Sequence, residues 1–185
     1  MDNGACSYRR FLKGDDSGFV DLIRDYKDGM ILFVNGITSN VHKAEEAVEE
    51  TFFKLAVKRP VYNGKASFKT WLYTIARNTA YDILKKRKNH AEVSIEECYA
   101  LLKDEEDLER SYVKEERRIT LHRAMNGLKP EHRQVLWLMY FENFSTKECA
   151  LVMKKSAHAV ESVAYRAKAA LKEKLEKEGF IYEEL

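Results

Sequence analysis

The chain has 185 residues, 45% of them hydrophobic and 34% charged, with 8 Gly, 2 Pro and 3 Cys and a formal net charge of +2. The apolar fraction suffices for a core and excludes a disordered chain, and three cysteines exclude a disulfide framework and suit a reducing cytosol. No run of about 18 apolar residues spans a membrane, and the first residues hold no apolar stretch long enough for a signal peptide. Few breakers and many Glu, Lys, Ala and Leu predict helices. The charge is unevenly spread: residues 1–90 carry net +5, residues 91–120 net −5 and residues 121–185 net +2.

In chain order, residues 1–15 read as an N-terminal extension. Phe19, Leu22, Ile23, Tyr26, Met30 and Phe33 recur at spacings of three and four and predict a helix ended by Gly36 and the turn ITSN. A second helix is predicted from Val41 to Lys58, stopped by Pro60. It carries Glu46, Glu49, Glu50 and Phe53 on one face, an acidic surface that suits a basic protein partner or simply meets water. After the loop PVYNGKAS, a third helix is predicted from Phe68 to Lys88, ending in the cationic run Lys85–Lys88. Aromatics and bases alternate along it, as stacking on unpaired bases and gripping a backbone require. Trp71 lies on its apolar stripe and is expected inside. Tyr73 lies off that stripe and is the better stacking candidate.

The acidic stretch 91–117 lacks an apolar stripe and reads as a linker. Beyond it, Pro130 suits the first turn of a helix reaching Phe141. Ser145 and Glu148 form a capping box that opens a short helix to Met153. Lys154 and Lys155 make a tight connection, and Ser156 caps a final helix to Lys177. A short helix, a turn and a longer helix that starts with small polar residues is the helix-turn-helix pattern, or else an ordinary helical pair with a solvated face. Read as DNA-binding, it turns Lys155, Ser156, His158, Ala159 and Ser162 to base edges, with Arg166 and Lys168 on the backbone, while Val160, Val163, Ala164, Ala167 and Leu171 pack inward.

Nothing predicts catalysis. Phosphate-loop, dinucleotide, zincin and nucleophile-elbow motifs are all missing, and the five His and three Cys show no metal-ligand spacing. No catalytic residue, metal ligand or cofactor is expected.

Taken together, these segments resemble a bacterial sigma factor of the extracytoplasmic-function (ECF) group of the sigma-70 family. KAEEAVEETFFKL, residues 43–55, is similar to the family's A-E-D-L-V-Q-E-T-F box. FKTWLYTIARNTAYDILKKRK, residues 68–88, resembles its F-x-x-W-L-x-x-I-A-R-N-x-x-x-D-x-x-R-x-x-R helix, and LKPEHRQVLWLMYFENFSTKECA, residues 128–150, resembles its L-P-x-x-x-R…S-x-x-E-I-A segment. The match spans residues 16–178. Departures include Lys129 where the pattern has Pro, Lys154 for a Gly in the turn, and Glu161 and Val163 for two basic residues.

The resemblance implies an all-α, non-enzymatic, cytoplasmic protein. A three-helix region 2 domain (16–90) would join a region 4 helix-turn-helix domain (118–178) through the 91–117 linker, leaving 179–185 as a tail. It implies binding of core RNA polymerase by two elements. The β′ clamp helices would meet Glu46, Glu49, Glu50 and Phe53, and region 4 would grip the β flap. It implies recognition of the promoter −10 element by the Pro60–Ser67 loop and the long helix, through Asn63, Lys65, Lys69, Tyr73, Arg77, Asn78, Lys85, Lys86 and Arg87. The −35 element would fall to Lys155, Ser156, His158, Ala159, Ser162 and Arg166. The linker would run near the RNA path, and an anti-sigma factor would control the protein without any membrane insertion of this chain. A helix-turn-helix regulator that uses only residues 128–177 stays the alternative, with no need for the 43–88 segment.

Overall fold

The computed structural model describes residues 3–86 and 120–177. Arg87, Cys98, the 91–117 linker and the tail lie outside them. The described residues are helical, without strands, and form two bodies packed on each other.

The first body has four helices rather than the expected three. Residues read as an extension form α1, Asn3–Leu12, whose Tyr8 and Phe11 are buried. It packs along α2, Ser17–Thr38, at a distance only glycine permits. A Cβ on Gly18 would stand 2.3 Å from the Ser7 carbonyl and 2.9 Å from the Phe11 nitrogen, both backbone atoms that cannot step aside. Ala normally stabilises a helix relative to Gly. Gly18→Ala is nevertheless expected to cost about 2 kcal/mol by overpacking, read as a lower midpoint in thermal unfolding. An unchanged or higher midpoint would refute the close packing.

α2 runs two residues past Gly36 because Ser39 adopts a left-handed cap (φ 50), with its N–H on the Asn35 carbonyl at 2.8 Å. Asn40 then caps α3, Val41–Lys58, accepting from the Lys43 N–H at 2.9 Å. α3 ends as expected before Pro60, on Arg59 in the left-handed region (φ 43). α4 spans Phe68–Lys86. Its inner face differs from the expected stripe. Tyr73 is 1% exposed, between Phe33 and Phe144 with ring centroids 5.3 Å away on each side, whereas Trp71 is only partly buried. An apolar stripe marks the face of a helix packed on one side. The second body covers a further face of α4, and Tyr73 lies in that seam.

The second body comprises helical residues 120–126, α5 (Pro130–Leu136), α6 (Thr146–Met153) and α7 (Ala157–Lys177). Pro130 opens α5 as expected, but the α-helix stops at Leu136. Residues Trp137–Phe141 form a π-turn in which the Glu142 N–H reaches back five residues to the Trp137 carbonyl at 3.1 Å. Such insertions re-aim the side chains that follow. Here Glu142 turns toward α4. The capping box at Ser145 and Glu148 is present, and the Ala159 N–H donates to Ser156 Oγ at 3.2 Å. Lys154 takes the left-handed cap conformation (φ 54) that the family pattern gives to glycine.

Candidate nucleic-acid and partner surfaces

The first candidate surface lies on α3. Glu46, Glu49, Glu50 and Phe53 line one groove of about 1070 Å³, so the structure brings all four together. Phe53 is 57% exposed within this lining. The other wall is the end of α4, with Thr79, Asp82, Ile83, Lys85 and Lys86. Lys54 ties the two walls, its Nζ 3.6 Å from Glu50 and donating to Thr79 Oγ1 at 2.9 Å. The groove thus sets three carboxylates and an exposed aromatic ring of α3 opposite Lys85 and Lys86 of α4.

The second surface is the 60–67 loop with α4. Asn63 and Lys65 are exposed at its tip. Asn63 Oδ1 accepts from the Lys65 N–H at 3.1 Å, and Gly64 (φ 72) completes the turn. Along α4 the expected row is divided. Arg77, Asn78 and Lys85 share a concavity of about 400 Å³ with Tyr81, Asp82 and Lys154, and the Arg77 guanidinium lies 4.6 Å from the centre of the Tyr81 ring. Lys69 and Tyr73 do not join them, because the second body covers them. Lys69 Nζ is 2.7 Å from Glu142 Oε2 and donates to the Glu142 carbonyl at 2.9 Å. Burial pushes the Tyr73 phenol well above its usual range, helped by the neighbouring Glu142 carboxylate. The expectation that Tyr73 stands free to stack on a base does not hold in this arrangement, since its ring is enclosed.

The same seam continues along α4 and α2. Glu148 Oε1 accepts from Ser67 Oγ and Thr70 Oγ1, each at 3.1 Å, while its Oε2 accepts from the Ser145 N–H at 2.9 Å. Burial works to raise the Glu148 pKa, but these donors outweigh it and hold the group below the ordinary carboxylate range. Arg77 Nε donates to Gln134 Oε1 at 3.3 Å. Arg133, 6% exposed, donates to the Gly36 carbonyl at 2.9 Å, to Ser39 Oγ at 2.5 Å and to the Asn126 carbonyl at 2.7 Å. A buried guanidinium satisfied this way marks a specified contact between the bodies.

The third surface is the exposed face of α7. Ser156, His158, Ser162 and Arg166 are exposed on it, and Ala159 is partly so. Lys155 at its foot pairs with Glu131 at 2.6 Å. Val160, Val163, Ala164 and Ala167 are buried as expected. Sequence reasoning missed Tyr165, which is 78% exposed. Its spacing of three from Ser162 was the available signal.

A fourth surface lies between residues 121 and 176, where the sequence singles out no partner-binding residues. Leu121, Met125, Leu136, Tyr140, Phe141 and Leu171 line an apolar groove of about 680 Å³ rimmed by Lys168, Lys172 and Glu176. The Trp137 and Phe141 rings stack at 4.3 Å beside it. The two residues are four apart and share one side of the turn. Lys168, expected on a DNA backbone, lies over the Tyr140 ring at 5.2 Å.

Residues 22–90 match the Sigma-70 region 2 family, and residues 118–171 match the Sigma-70, region 4 family. The chain belongs to the sigma-70 family, as an ECF-type sigma factor. It is similar to the RNA polymerase sigma-H factor of Pseudomonas aeruginosa, 29% identical over 175 residues covering 90% of this chain and 91% of that protein. The ECF RNA polymerase sigma factor SigW of Bacillus subtilis is 29% identical over 171 residues, 88% of this chain and 91% of SigW. Its fold resembles that of CnrH in complex with the cytosolic domain of CnrY (TM-score 0.66, 19% identity, 95% of this chain and 99% of the other). It also resembles the sigma factor RpoE in complex with the anti-sigma factor NepR from Bartonella quintana (TM-score 0.65, 22% identity, 90% and 98%). As a sigma factor this ECF protein binds core RNA polymerase and directs promoter-specific initiation; sigma factors are not enzymes. Among the described residues no group of three or more His, Cys, Asp and Glu could hold a metal ion, and no helix is long and apolar enough to cross a membrane.

Proposed function

We propose that the four surfaces divide the work of initiation. The α3 groove takes the clamp helices of the polymerase β′ subunit, with Phe53 as its anchor and Glu46, Glu49 and Glu50 as its charged rim. The apolar groove between residues 121 and 176 takes the β flap. The 60–67 loop and the α4 row Lys69, Arg77, Asn78, Lys85 and Lys86 meet the −10 element. The α7 face, with Lys155, Ser156, His158, Ala159, Ser162, Arg166 and also Tyr165, meets the −35 element. The chain has no catalytic activity of its own, works in the cytoplasm with its polymerase, and is held by an anti-sigma factor that covers the polymerase-facing grooves.

One observation carries this reading. The residues placed against polymerase stay open in the packed form, in one groove on α3, while part of the row placed against DNA is covered by the second body. Polymerase can therefore bind first, and promoter contact follows once the bodies separate. A small net charge of +2 adds to this order, since it releases few counterions on duplex binding. Run-off transcription with core enzyme, this chain and genomic fragments tests the proposal. Start sites that appear only with both proteins, together with weak mobility shifts by the chain alone, are expected. Tight promoter binding by the isolated chain, without core-dependent transcripts, would instead favour a free-standing helix-turn-helix regulator.

A further inference from the structure

Helix α1 plays no part in the four surfaces, yet its inner side is spent on the residues that lead into the 60–67 loop. Tyr8, 2% exposed, donates its hydroxyl to the Pro60 carbonyl at 2.8 Å. One turn on, the Phe11 ring lies under the Arg59 guanidinium, 5.1 Å from it. Arg59 holds a left-handed conformation (φ 43), which is unfavourable for a residue with a Cβ and needs support from its surroundings. Both residues that turn the chain out of α3 are thus held by α1.

The far end of the loop is held as well. Tyr62 Oη donates to the Ala66 carbonyl at 2.6 Å, and its ring packs on Phe68 and Trp71, 5.4 Å from each. Tyr8 packs on the same two rings, at 5.4 and 5.5 Å. Between these anchored feet the tip stands in solvent: Val61 is 85% exposed, and Asn63, Gly64 and Lys65 are exposed. A rigid base with an open tip suits the capture of an unstacked nucleotide. Extruding a base already costs a few kcal/mol, and a preformed loop adds no ordering cost of its own.

We propose that α1 is the positioning element of the promoter loop and Tyr8 its positioning residue. The Tyr8 hydroxyl fixes the Pro60 carbonyl, and this sets the direction in which the tip is presented to DNA. Burial pushes the Tyr8 phenol up to about 12, against the pull of Arg59, so it stays protonated and able to donate. The inference rests on reading residues 60–67 as the −10 loop.

Tyr8→Phe tests it, since the variant keeps the ring contacts and removes one hydrogen bond. Phe11→Leu is the second variant, because it keeps apolar burial and removes the ring beneath Arg59. Each is compared with the unaltered chain, bound to core polymerase, on a promoter mapped by run-off transcription. Core affinity is expected to hold, and the thermal midpoint of the free chain to fall by only about 2–4 °C, the effect of about 1 kcal/mol. Amide exchange within 61–66 is expected to rise about fivefold in Tyr8→Phe, the worth of one hydrogen bond, and to rise in Phe11→Leu as well. Discrimination between bases at the captured −10 position is expected to fall by about the same factor. Unchanged exchange and discrimination in both variants would overturn the positioning role. So would a loss of transcription that merely follows a loss of core binding. An unaltered chain that supports no core-dependent transcription would overturn the promoter-loop reading itself, while the exchange measurement still decides whether α1 holds the loop.

Discussion

Glu142→Lys is expected to part the two helical bodies. Glu142 anchors Lys69 across the seam through both its carboxylate and its backbone carbonyl. Its side chain is 11% exposed, it meets Lys69 at 2.7 Å, and its Oε1 accepts from Trp137 Nε1 at 3.2 Å. Reversal sets two ammonium groups against each other in a site shaped for a pair. Breaking a fully buried pair costs 3–5 kcal/mol, and Lys69 keeps 35% of its surface in water, so about 2 kcal/mol is a fair expectation. That shifts the balance between packed and parted forms by about thirtyfold. Small-angle scattering should show a larger radius for the free chain, and promoter DNA should bind it more tightly because Lys69 and Arg77 are uncovered. Lys69→Glu combined with Glu142→Lys should restore the packed form. An unchanged radius in the single variant, or no recovery in the double one, would count against the seam.

The second large effect is expected at Phe53. Truncating a residue that is 57% exposed removes little from the folded core, within about 0.5 kcal/mol. An aromatic at the centre of an interface, however, can carry 2 kcal/mol or more. Phe53→Ala should therefore weaken core polymerase binding about thirtyfold with an unchanged thermal midpoint. Glu49→Lys on the same groove should act mostly on the association rate and its salt dependence, as rim charges do. Equal core affinity for Phe53→Ala and the unaltered chain would remove α3 from the polymerase contact.

Helix periodicity, Pro60 and the Ser145–Glu148 capping box were enough to place α2, α3, α4, α6 and α7, and Pro130 the start of α5, since each rests on contacts within a few residues. Three features were not legible, for different physical reasons. α1 is short, and its apolar residues Tyr8 and Phe11 offer one turn of pattern; its stability comes from glycine-tight packing on α2, which only tertiary structure reveals. The π-turn at Trp137–Phe141 depends on one shifted hydrogen bond, invisible to a count of 3.6 residues per turn. Tyr73 was misplaced because the pattern of a helix does not say how many neighbours it has. The α3 cluster Glu46, Glu49, Glu50 and Phe53 was legible, because spacings of three and four put it on one face before any packing is known.

Glu148 serves two structures with separate atoms. Oε2 closes the capping box of α6, and Oε1 receives the hydroxyls of Ser67 and Thr70 across the seam. When the bodies part, only Oε1 loses its donors, and water can replace them. The start of the helix-turn-helix keeps its cap throughout. In the proposed separation the contact would act as a latch that opens without melting what it holds, with the cost of release confined to the seam and both halves left folded for the promoter.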